Sequence, residues 1–194
     1  MCINSNAQDI NLPKPDKKGG KPLMEALSAR QSNREFSPTY MSEQQLSNLL
    51  WAANGINRED IGKRTAPSAR NCQEIDIYLF MEKGIYLYVP EKHFLQLIRS
   101  GDFRKDVTQQ DFAAQVPFLL IYVANYDKMK DYDDEKRALY GAIDCGNVSQ
   151  NVYLYCASEE LNTVAIGMIN RDTIKELIGF NGKAILGQPV GLPK

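Results

Sequence analysis

The stretch ARQSNREFS, residues 29–37, contains two arginines four residues apart, Arg30 and Arg34, with short polar side chains between them. A phosphate monoester carries nearly two negative charges and three acceptor oxygens, so its binding site needs cations together with hydroxyl or amide donors. Arg30, Ser32 and Arg34 supply that combination. Two arginines at this spacing also occur on ordinary solvated surfaces. The pattern alone therefore leaves an anion site and a solvated surface as alternatives.

A second polar stretch, RTAPSARNCQ, spans residues 64–73. Pro67, followed by Ser68, Ala69 and Asn71, predicts a turn whose small polar groups suit the edge of a flat heterocycle, although such a turn is ordinary when taken alone. The sequence has no Walker loop and no G-x-G-x-x-G fingerprint, which argues against a P-loop nucleotide site and a Rossmann dinucleotide site. We therefore expect any bound phosphate to be held by side chains.

The cysteines and the histidine do not form the patterns of a metal site, a disulfide or a catalytic nucleophile. The chain has four cysteines, none in a C-x-x-C pair, and one histidine, His93, so zinc sites built from these residues have too few ligands. Cys145 and Cys156 fall in one predicted helix about 16 Å apart, beyond disulfide reach, and are expected to pack on its face. His93 precedes residues with helix-like apolar spacing and is expected to be structural or solvated. We expect neither a metal site nor a catalytic nucleophile.

The composition is that of a soluble globular protein with a full core, with 194 residues, 43% hydrophobic and 24% charged. The net charge of -1 lacks the basic field that non-specific nucleic-acid binding needs. The longest wholly apolar run, Val116 to Ala124, is about half of the ~20 residues of a membrane span and predicts a buried strand. We therefore expect no nucleic-acid partner and no membrane span, and any bound anion to be small.

Residues 1–20, MCINSNAQDINLPKPDKKGG, predict an extended or disordered arm that need not join the core. Ser5 and Ala7 occupy the small-residue positions of a signal-peptidase site, but no basic region or apolar run precedes them. The arm is either a plain leader or a remnant of an export signal. The protein is accordingly expected in the cytoplasm, or in the periplasm under the second interpretation. Residues 21–194 are expected to form a single domain.

The first half of that domain carries clear helix and strand patterns. PLMEALSAR predicts a short helix that ends near Arg30, and MSEQQLSNLLWAANGI predicts a second helix that begins with a capping box of Ser42 and Gln45. Residue types alternate in strand fashion on both sides of a Lys83-Gly84 turn in the stretch EIDIYLFMEKGIYLYVP. This pattern predicts an antiparallel hairpin. VPFLLIYVA is apolar on both faces and predicts a central strand covered by helices on each side.

The second half begins with a predicted long helix over residues 133–160, with acidic residues in its first turn. Gly141 and Gly146 cost this helix about 1 kcal/mol each. They indicate either close packing against another element or the approach of a flat ligand or partner subunit. A short strand (NTVAIGMI), a capped helix (RDTIKELIG) and a final strand (AILGQPVGLPK) follow. This order predicts an α+β fold with helices flanking a central mixed or antiparallel sheet.

Taken together, these motifs resemble the FMN-dependent nitroreductase-like family, in the branch that includes the thiazole/oxazole-forming dehydrogenases. The resemblance extends from about residue 21 to residue 194. R-x-S-x-R-x-F at Arg30 to Phe36 is similar to the family's phosphate and flavin-edge motif, and P-S-x-x-N-x-Q at Pro67 to Gln73 is similar to its flavin-contacting loop. Many members continue this loop with Pro-Trp, whereas this chain has Glu74-Ile75.

The resemblance implies a role for each matching residue. The first basic residue, its neighbour and the serine would hold the flavin phosphate and ribityl chain, and the second basic residue would lie at the pyrimidine edge. The loop would contact the isoalloxazine, a backbone N–H of VAIG would face flavin N5, and the final lysine would close the phosphate site. In chain order the implied FMN-binding residues are Arg30, Gln31, Ser32, Arg34, Pro67, Ser68, Ala69, Asn71, Ile166, Gly167 and Lys194.

The resemblance also implies a function and an assembly. We expect an NAD(P)H-dependent FMN oxidoreductase with a ping-pong mechanism and a nitroaromatic, quinone or enone acceptor, in a domain-intertwined homodimer with flavin sites at the subunit interface. Flavin N5 would carry the chemistry, so no catalytic side chain is assigned. Two alternatives stay open. One is an azoline-oxidising dehydrogenase of peptide modification, and the other is a non-catalytic flavin-binding protein.

Overall fold

The structure, a computed structural model, describes residues 7–194. Over this range the chain forms nine strands and six helices, with single 3₁₀ turns at Ala69–Asn71 and Tyr126–Lys128. The strands are β1 Ile10–Asn11, β2 Ile56–Arg58, β3 Lys63–Arg64, β4 Ile75–Met81, β5 Gly84–Val89, β6 Phe94–Ser100, β7 Phe118–Asn125, β8 Asn162–Thr163 and β9 Gly182–Gly191. The helices are α1 Leu23–Ala29, α2 Glu43–Asn54, α3 Arg104–Val107, α4 Asp111–Ala114, α5 Asp134–Ser158 and α6 Arg171–Ile178.

A seven-stranded sheet organises the molecule, with the strand order β1-β6-β5-β4-β7-β9-β8. Every strand pair in it is antiparallel. Strands β2 and β3 form a separate two-stranded ribbon. The predicted α+β class with a central sheet flanked by helices is confirmed, and of the two sheet types left open the antiparallel one is observed.

Strand β7 confirms the predicted central strand, because its two faces enter two different cores. Phe118, Leu120 and Tyr122 face a core that includes residues of α2 and α5. Leu119 and Ile121 face a second core that includes residues of α3, α4 and α6. Each fully buried side chain of this size contributes about 1.5–3 kcal/mol, so a strand buried on both faces holds the two helical layers together.

Helix α2 begins at the capping box that its sequence predicts. Ser42 Oγ accepts a hydrogen bond from the Gln45 N–H at 3.1 Å, and Gln45 Oε1 accepts one from the Ser42 N–H at 3.0 Å, which completes the capping box. Gly55 ends the helix with an ordinary extended backbone, φ -76°. Its glycine character is required sterically, since a Cβ at this position would lie 2.5 Å from the Trp51 ring.

The region after His93 is strand β6, so the helix-like interpretation of residues 94–98 was wrong. Apolar residues at positions i, i+3 and i+4 within seven residues do not distinguish a helix from a strand. Pairing decides the outcome, because β6 hydrogen-bonds to β5 along one edge and to β1 along the other. His93 is held by Ser47 Oγ at 2.7 Å and by Tyr88 OH at 2.9 Å, which fits a structural role.

The described part of the N-terminal arm lies along the domain. Ile10 and Asn11 pair with β6 as the edge strand β1, and Asp9 Oδ1 accepts a hydrogen bond from the Leu97 N–H at 2.8 Å. The sequence did not predict this strand, because two residues carry no periodicity. The proposed signal-peptidase site depends on residues 4–7, of which only Ala7 lies within the described residues.

Helix α5 confirms the predicted long helix and crosses the sheet. Cys145 and Cys156 are buried on its inner face, as predicted for packing residues. Gly141 is also buried, and a Cβ there would lie 2.8 Å from the Ala124 Cβ, so this glycine permits close packing on β7. Gly146 is exposed and would meet nothing within 4 Å. Among residues 7–194, no helix is long and apolar enough to cross a membrane.

Candidate functional site

The segment that follows α1 is held between two other parts of the chain. Arg30 ends the helix, its N–H donating to the Ala26 carbonyl, and its ψ of 121° turns the following residues into an extended path. The Asn33 N–H then donates to the Thr163 carbonyl at 3.0 Å, and the Ser37 N–H donates to the Leu192 carbonyl at 2.9 Å. The first motif therefore lies beside β8 on one side and beside the C-terminal residues on the other.

Tyr153 of α5 joins this segment to the chain that follows β8. Its hydroxyl accepts a hydrogen bond from the Ala165 N–H at 2.8 Å and lies 2.9 Å from Ser32 Oγ. The Arg30 guanidinium lies 5.3 Å from the centre of the Tyr153 ring, within the range of a cation–π interaction. Sequence reasoning did not identify Tyr153, because nothing local distinguishes it from other tyrosines on the helix.

Three basic side chains of the predicted site have no carboxylate partner among the described residues. Within residues 7–194, Arg30, Arg34 and Lys194 form no ion pair and no side-chain hydrogen bond, whereas Arg64 and Arg104 are both paired with carboxylates. Arg34 and Lys194 line the same cavity of about 400 Å³, and the Arg34 guanidinium lies 5.9 Å from the Phe112 ring centre. Uncompensated cations at one cavity favour an anionic ligand.

Gln31 borders a smaller cavity on the other side of the segment. This cavity measures about 210 Å³ and is also lined by Lys21 and Tyr153. The Lys21 ammonium contacts the Glu160 carboxylate at 3.2 Å and is thereby compensated. The residues of the first motif therefore border two different cavities, Gln31 the smaller one and Arg34 the larger one.

The predicted backbone donors at residues 166 and 167 differ in availability. The Ile166 N–H donates to the Gly187 carbonyl at 2.7 Å, and the Gly187 N–H returns a bond to the Ile166 carbonyl at 2.9 Å. Gly167 is exposed, and its N–H has no acceptor among the described residues. Its carbonyl is fixed by Arg171 Nη2 at 3.3 Å. Of the two residues, only Gly167 keeps a backbone N–H available for a ligand.

The second motif is an irregular loop held by local hydrogen bonds. Ser68 Oγ accepts from the Gln73 N–H at 2.9 Å. Arg70, Asn71 and Gln73 adopt positive φ angles of 50°, 58° and 51°, which cost conformational energy for residues other than glycine. Asn71 is exposed at the tip of the loop and is available for contact with a ligand or another chain.

The inner side of this loop is anchored to the middle of α5. The Ala69 N–H donates to Asp144 Oδ2 at 2.7 Å, and Asn147 Nδ2 donates to the Pro67 carbonyl at 3.4 Å. Beneath the loop, Glu74 is completely buried. Burial, together with the neighbouring Asp144 carboxyl, raises the pKa of Glu74 to about 7.

The two motifs contact α5 at different places. Asp144 holds the loop, and Tyr153 holds the arginine segment. The nine residues between them correspond to about 13.5 Å along the helix axis and place the two side chains on opposite sides of it. Among residues 7–194, no hydrogen bond or ion pair joins residues 67–71 to residues 30–34. One chain therefore brings Arg30 and Ser32 together at Tyr153, and Arg34 and Lys194 together at one cavity. It leaves Pro67, Ser68, Ala69 and Asn71 apart from both pairs.

Comparisons with known proteins agree with this architecture. The sequence model of the nitroreductase family matches residues 27–192. A protein of Methanocaldococcus jannaschii, named a "putative nitroreductase", is 31% identical over 179 residues, which are 87% of this chain and 90% of that protein.

A crystal structure of a "putative nitroreductase" from Ralstonia eutropha has a TM-score of 0.92 at 39% identity, covering 99% of this chain and 92% of that one. The NADPH:FMN oxidoreductase of Vibrio harveyi shares the fold alone, with a TM-score of 0.68 at 20% identity over 89% of this chain and 69% of that one. On its sequence and its fold, this chain belongs to the nitroreductase family.

Proposed function

We propose that this protein is an FMN-dependent oxidoreductase that passes electrons from NADH or NADPH to a small nitroaromatic, quinone or enone acceptor by a ping-pong mechanism. Residues 21–194 would act as its single FMN-binding domain. The observation that carries the proposal is a set of three cations without a carboxylate partner among residues 7–194. Arg30 lies with Ser32 at Tyr153, and Arg34 and Lys194 line one cavity. Membership of the nitroreductase family supports a flavin as the ligand of this set.

The donors fit the chemistry of FMN. A phosphate needs cations and hydroxyl donors, which Arg30 and Ser32 supply at Tyr153. Lys194, which lines the cavity of Arg34, would close the phosphate site, and Gln31 would contact the ribityl chain. Arg34 would lie at the pyrimidine edge, where a fixed positive charge stabilises negative charge on the ring. The available N–H of Gly167 is suited to the ring nitrogen N5. Pro67, Ser68, Ala69 and Asn71 would contact the isoalloxazine from the loop.

Bound FMN would supply the two-electron centre that accepts hydride from a nicotinamide and passes electrons to the acceptor. The protein then has to bind and orient its substrates and stabilise charge. A protein nucleophile is not required, and the cysteines of α5 are unsuited to be one. Burial raises the pKa of Cys145 to about 12, so the thiol stays protonated and unreactive at neutral pH.

We also propose a homodimer in which each flavin contacts both chains. The separation of the two motifs on α5 supports this, since a second copy can supply the loop that one chain leaves distant. Apolar side chains on the outer surface support it further. Leu139 and Ile143 of α5 are 55% and 51% exposed, and Met24 of α1 is 74% exposed. Exposed apolar side chains on two helices that pack together are suited to a contact with a second copy.

The proposal is tested by comparing the wild-type protein with an Arg30→Ala plus Arg34→Ala variant. The wild type should show flavin absorption bands that bleach when NADH or NADPH is added without oxygen. Each charge-assisted hydrogen bond contributes about 1.5–3 kcal/mol, so the variant should bind FMN about a hundredfold more weakly or worse. Titration of FMN into the unloaded protein, followed by fluorescence, measures this difference.

An Arg58→Ala plus Arg99→Ala variant is the matched control, because both arginines are exposed and the same two charges are removed. It should bind FMN as the wild type does. Full FMN occupancy in the Arg30 and Arg34 variant would contradict the site assignment. A wild-type protein without flavin bands after FMN is supplied would contradict the cofactor. Bound flavin that neither nicotinamide bleaches would favour the non-catalytic alternative.

A further inference from the structure

Glu74 is a buried acid without a hydrogen-bond donor. It directly follows the loop of residues 67–73, and its side chain is completely buried. Neither carboxylate oxygen has a hydrogen-bond partner among the described residues. An ionised carboxylate in this position would have lost its hydration and gained no donor in return, which is strongly unfavourable. The side chain is therefore expected to carry a proton.

A second buried acid lies beside it and supplies the acceptor for that proton. Asp144 is 4% exposed, and its carboxyl lies near enough to Glu74 to raise the pKa of that carboxyl. Asp144 Oδ2 also accepts the Ala69 N–H of the loop at 2.7 Å. Two ionised carboxylates in one apolar pocket repel each other, and neither can donate a hydrogen bond. One proton between them removes the repulsion and forms the missing bond.

The other titratable groups near Glu74 do not supply a positive charge that could stabilise an ionised Glu74 in place of this proton. Lys128 is the nearby cation, but its ammonium is already bound to Asp76 Oδ1 at 2.6 Å and to the Gln73 carbonyl at 3.3 Å. The thiols of Cys72 and Cys145 also lie close enough to interact with Glu74, and each has a raised pKa. Both thiols are therefore neutral at physiological pH and supply no positive charge.

We propose that Glu74 and Asp144 share one proton, and that this proton holds residues 67–73 in the conformation that contacts the flavin. The part that concerns flavin rests on the proposed function, whereas the shared proton does not. Loss of the proton would leave two negative charges under the loop and weaken the anchor at Ala69. Because the raised pKa of Glu74 favours its protonated form, the anchor is complete in mild acid and is lost as pH rises through about 7.

The experiment compares the wild type with Glu74→Gln, whose amide can donate to Asp144 at every pH. Between about pH 4.5 and 8.5, thermal unfolding without FMN and hydrogen-exchange protection of the Ala69 amide are measured for both proteins. In the wild type, the unfolding temperature and the protection factor should fall as pH rises from the ordinary pKa of a glutamate, 4.5, to about 7, and this contribution should level off above 7. In Glu74→Gln, that part of the pH dependence should disappear. The FMN Kd of the wild type should rise by up to about tenfold per pH unit above 7 and stay level in the variant.

Glu59→Gln is the matched control, since it removes an exposed carboxylate that pairs with Lys17 at the surface. It should keep the wild-type pH profile. Asp144→Asn is a second probe, because its amide can still accept from Ala69 and can donate to an ionised Glu74. It should move the transition to lower pH.

The outcomes separate this inference from the proposed function. A Glu74→Gln profile identical to that of the wild type, with or without FMN, would overturn the shared proton. Loss of the pH dependence in unfolding and in Ala69 protection supports it even if the wild type binds no FMN, in which case only the proposed function fails. A pH-dependent unfolding temperature with constant Ala69 protection would overturn the role of the proton in holding the loop.

Discussion

At the scale of single residues, Tyr153 organises the candidate site, and its removal is a direct test. Tyr153→Phe deletes the hydroxyl that lies between Ser32 Oγ and the Ala165 N–H but keeps the ring beneath Arg30. Each lost hydrogen bond costs about 1 kcal/mol, so the FMN Kd should rise about fivefold to thirtyfold. Fluorescence titration of the unloaded protein with FMN measures this change.

Tyr88→Phe is the control for this variant, because it also removes a tyrosine hydroxyl that is hydrogen-bonded, in this case to His93 Nδ1 at 2.9 Å. It should lower the unfolding temperature and leave the FMN affinity unchanged. Equal FMN affinities for Tyr153→Phe and the wild type would show that Tyr153 does not position the site.

The residues of the first motif could be selected from the sequence because their types and spacing are local. Arg30, Ser32 and Arg34 stand within five positions of one another, and that pattern is visible without a fold. Tyr153 could not be selected, since its contact with Ser32 spans 121 residues. The choice between Ile166 and Gly167 also requires the fold, because the Ile166 N–H is consumed by Gly187, which is far away in sequence.

At the scale of elements, Gly141 determines how closely α5 approaches the sheet. Gly141→Ala would add a Cβ 2.8 Å from the Ala124 Cβ of β7. The better helix propensity of alanine offsets up to about 1 kcal/mol, but overpacking costs about 1–3 kcal/mol. The free energy of unfolding, measured by denaturant titration, should therefore fall by up to about 2 kcal/mol.

Gly146→Ala is the matched comparison on the same helix, because a Cβ there meets nothing within 4 Å of the chain. It should raise the free energy of unfolding by up to about 1 kcal/mol. Two substitutions of equal effect would mean that α5 can shift to accommodate a Cβ at Gly141. The sequence left close packing and the approach of a ligand or partner subunit as alternative explanations for the two glycines. A loss of stability in Gly141→Ala without a loss in Gly146→Ala would assign close packing to Gly141 and leave Gly146 free for a partner.

Elements were predicted well where local chemistry determines them. The capping box of Ser42 and the side-chain cap of Asp133 define the starts of α2 and α5 before any tertiary contact forms. Strand β6 was not predicted correctly, because its apolar spacing suits a helix and its two neighbouring strands impose the extended conformation. Strand β1 was not predicted for a related reason, since its identity depends on the exposed edge of β6.

At the scale of the whole molecule, the two motifs of the proposed site lie apart in one chain, and the proposed dimer predicts that assembly and flavin binding are lost together. Ile143→Asp would place a charge on the exposed outer face of α5, where Ile143 is 51% exposed. A carboxylate buried in an apolar interface without a partner is strongly unfavourable. Sedimentation velocity should therefore show a monomer, and the FMN content should fall in proportion to the loss of dimer.

Ile61→Asp is the control, since Ile61 is 57% exposed outside α1 and α5. It should remain a dimer and keep its FMN. The informative comparison is between assembly and cofactor in the same sample. A monomeric Ile143→Asp protein at full FMN occupancy would mean that one chain can close its own site, and residues 67–71 would then have to reach the flavin by moving away from Asp144. If the monomeric Ile143→Asp protein has lost its FMN and regains it when the protein is concentrated enough to form dimers, the second chain completes the site.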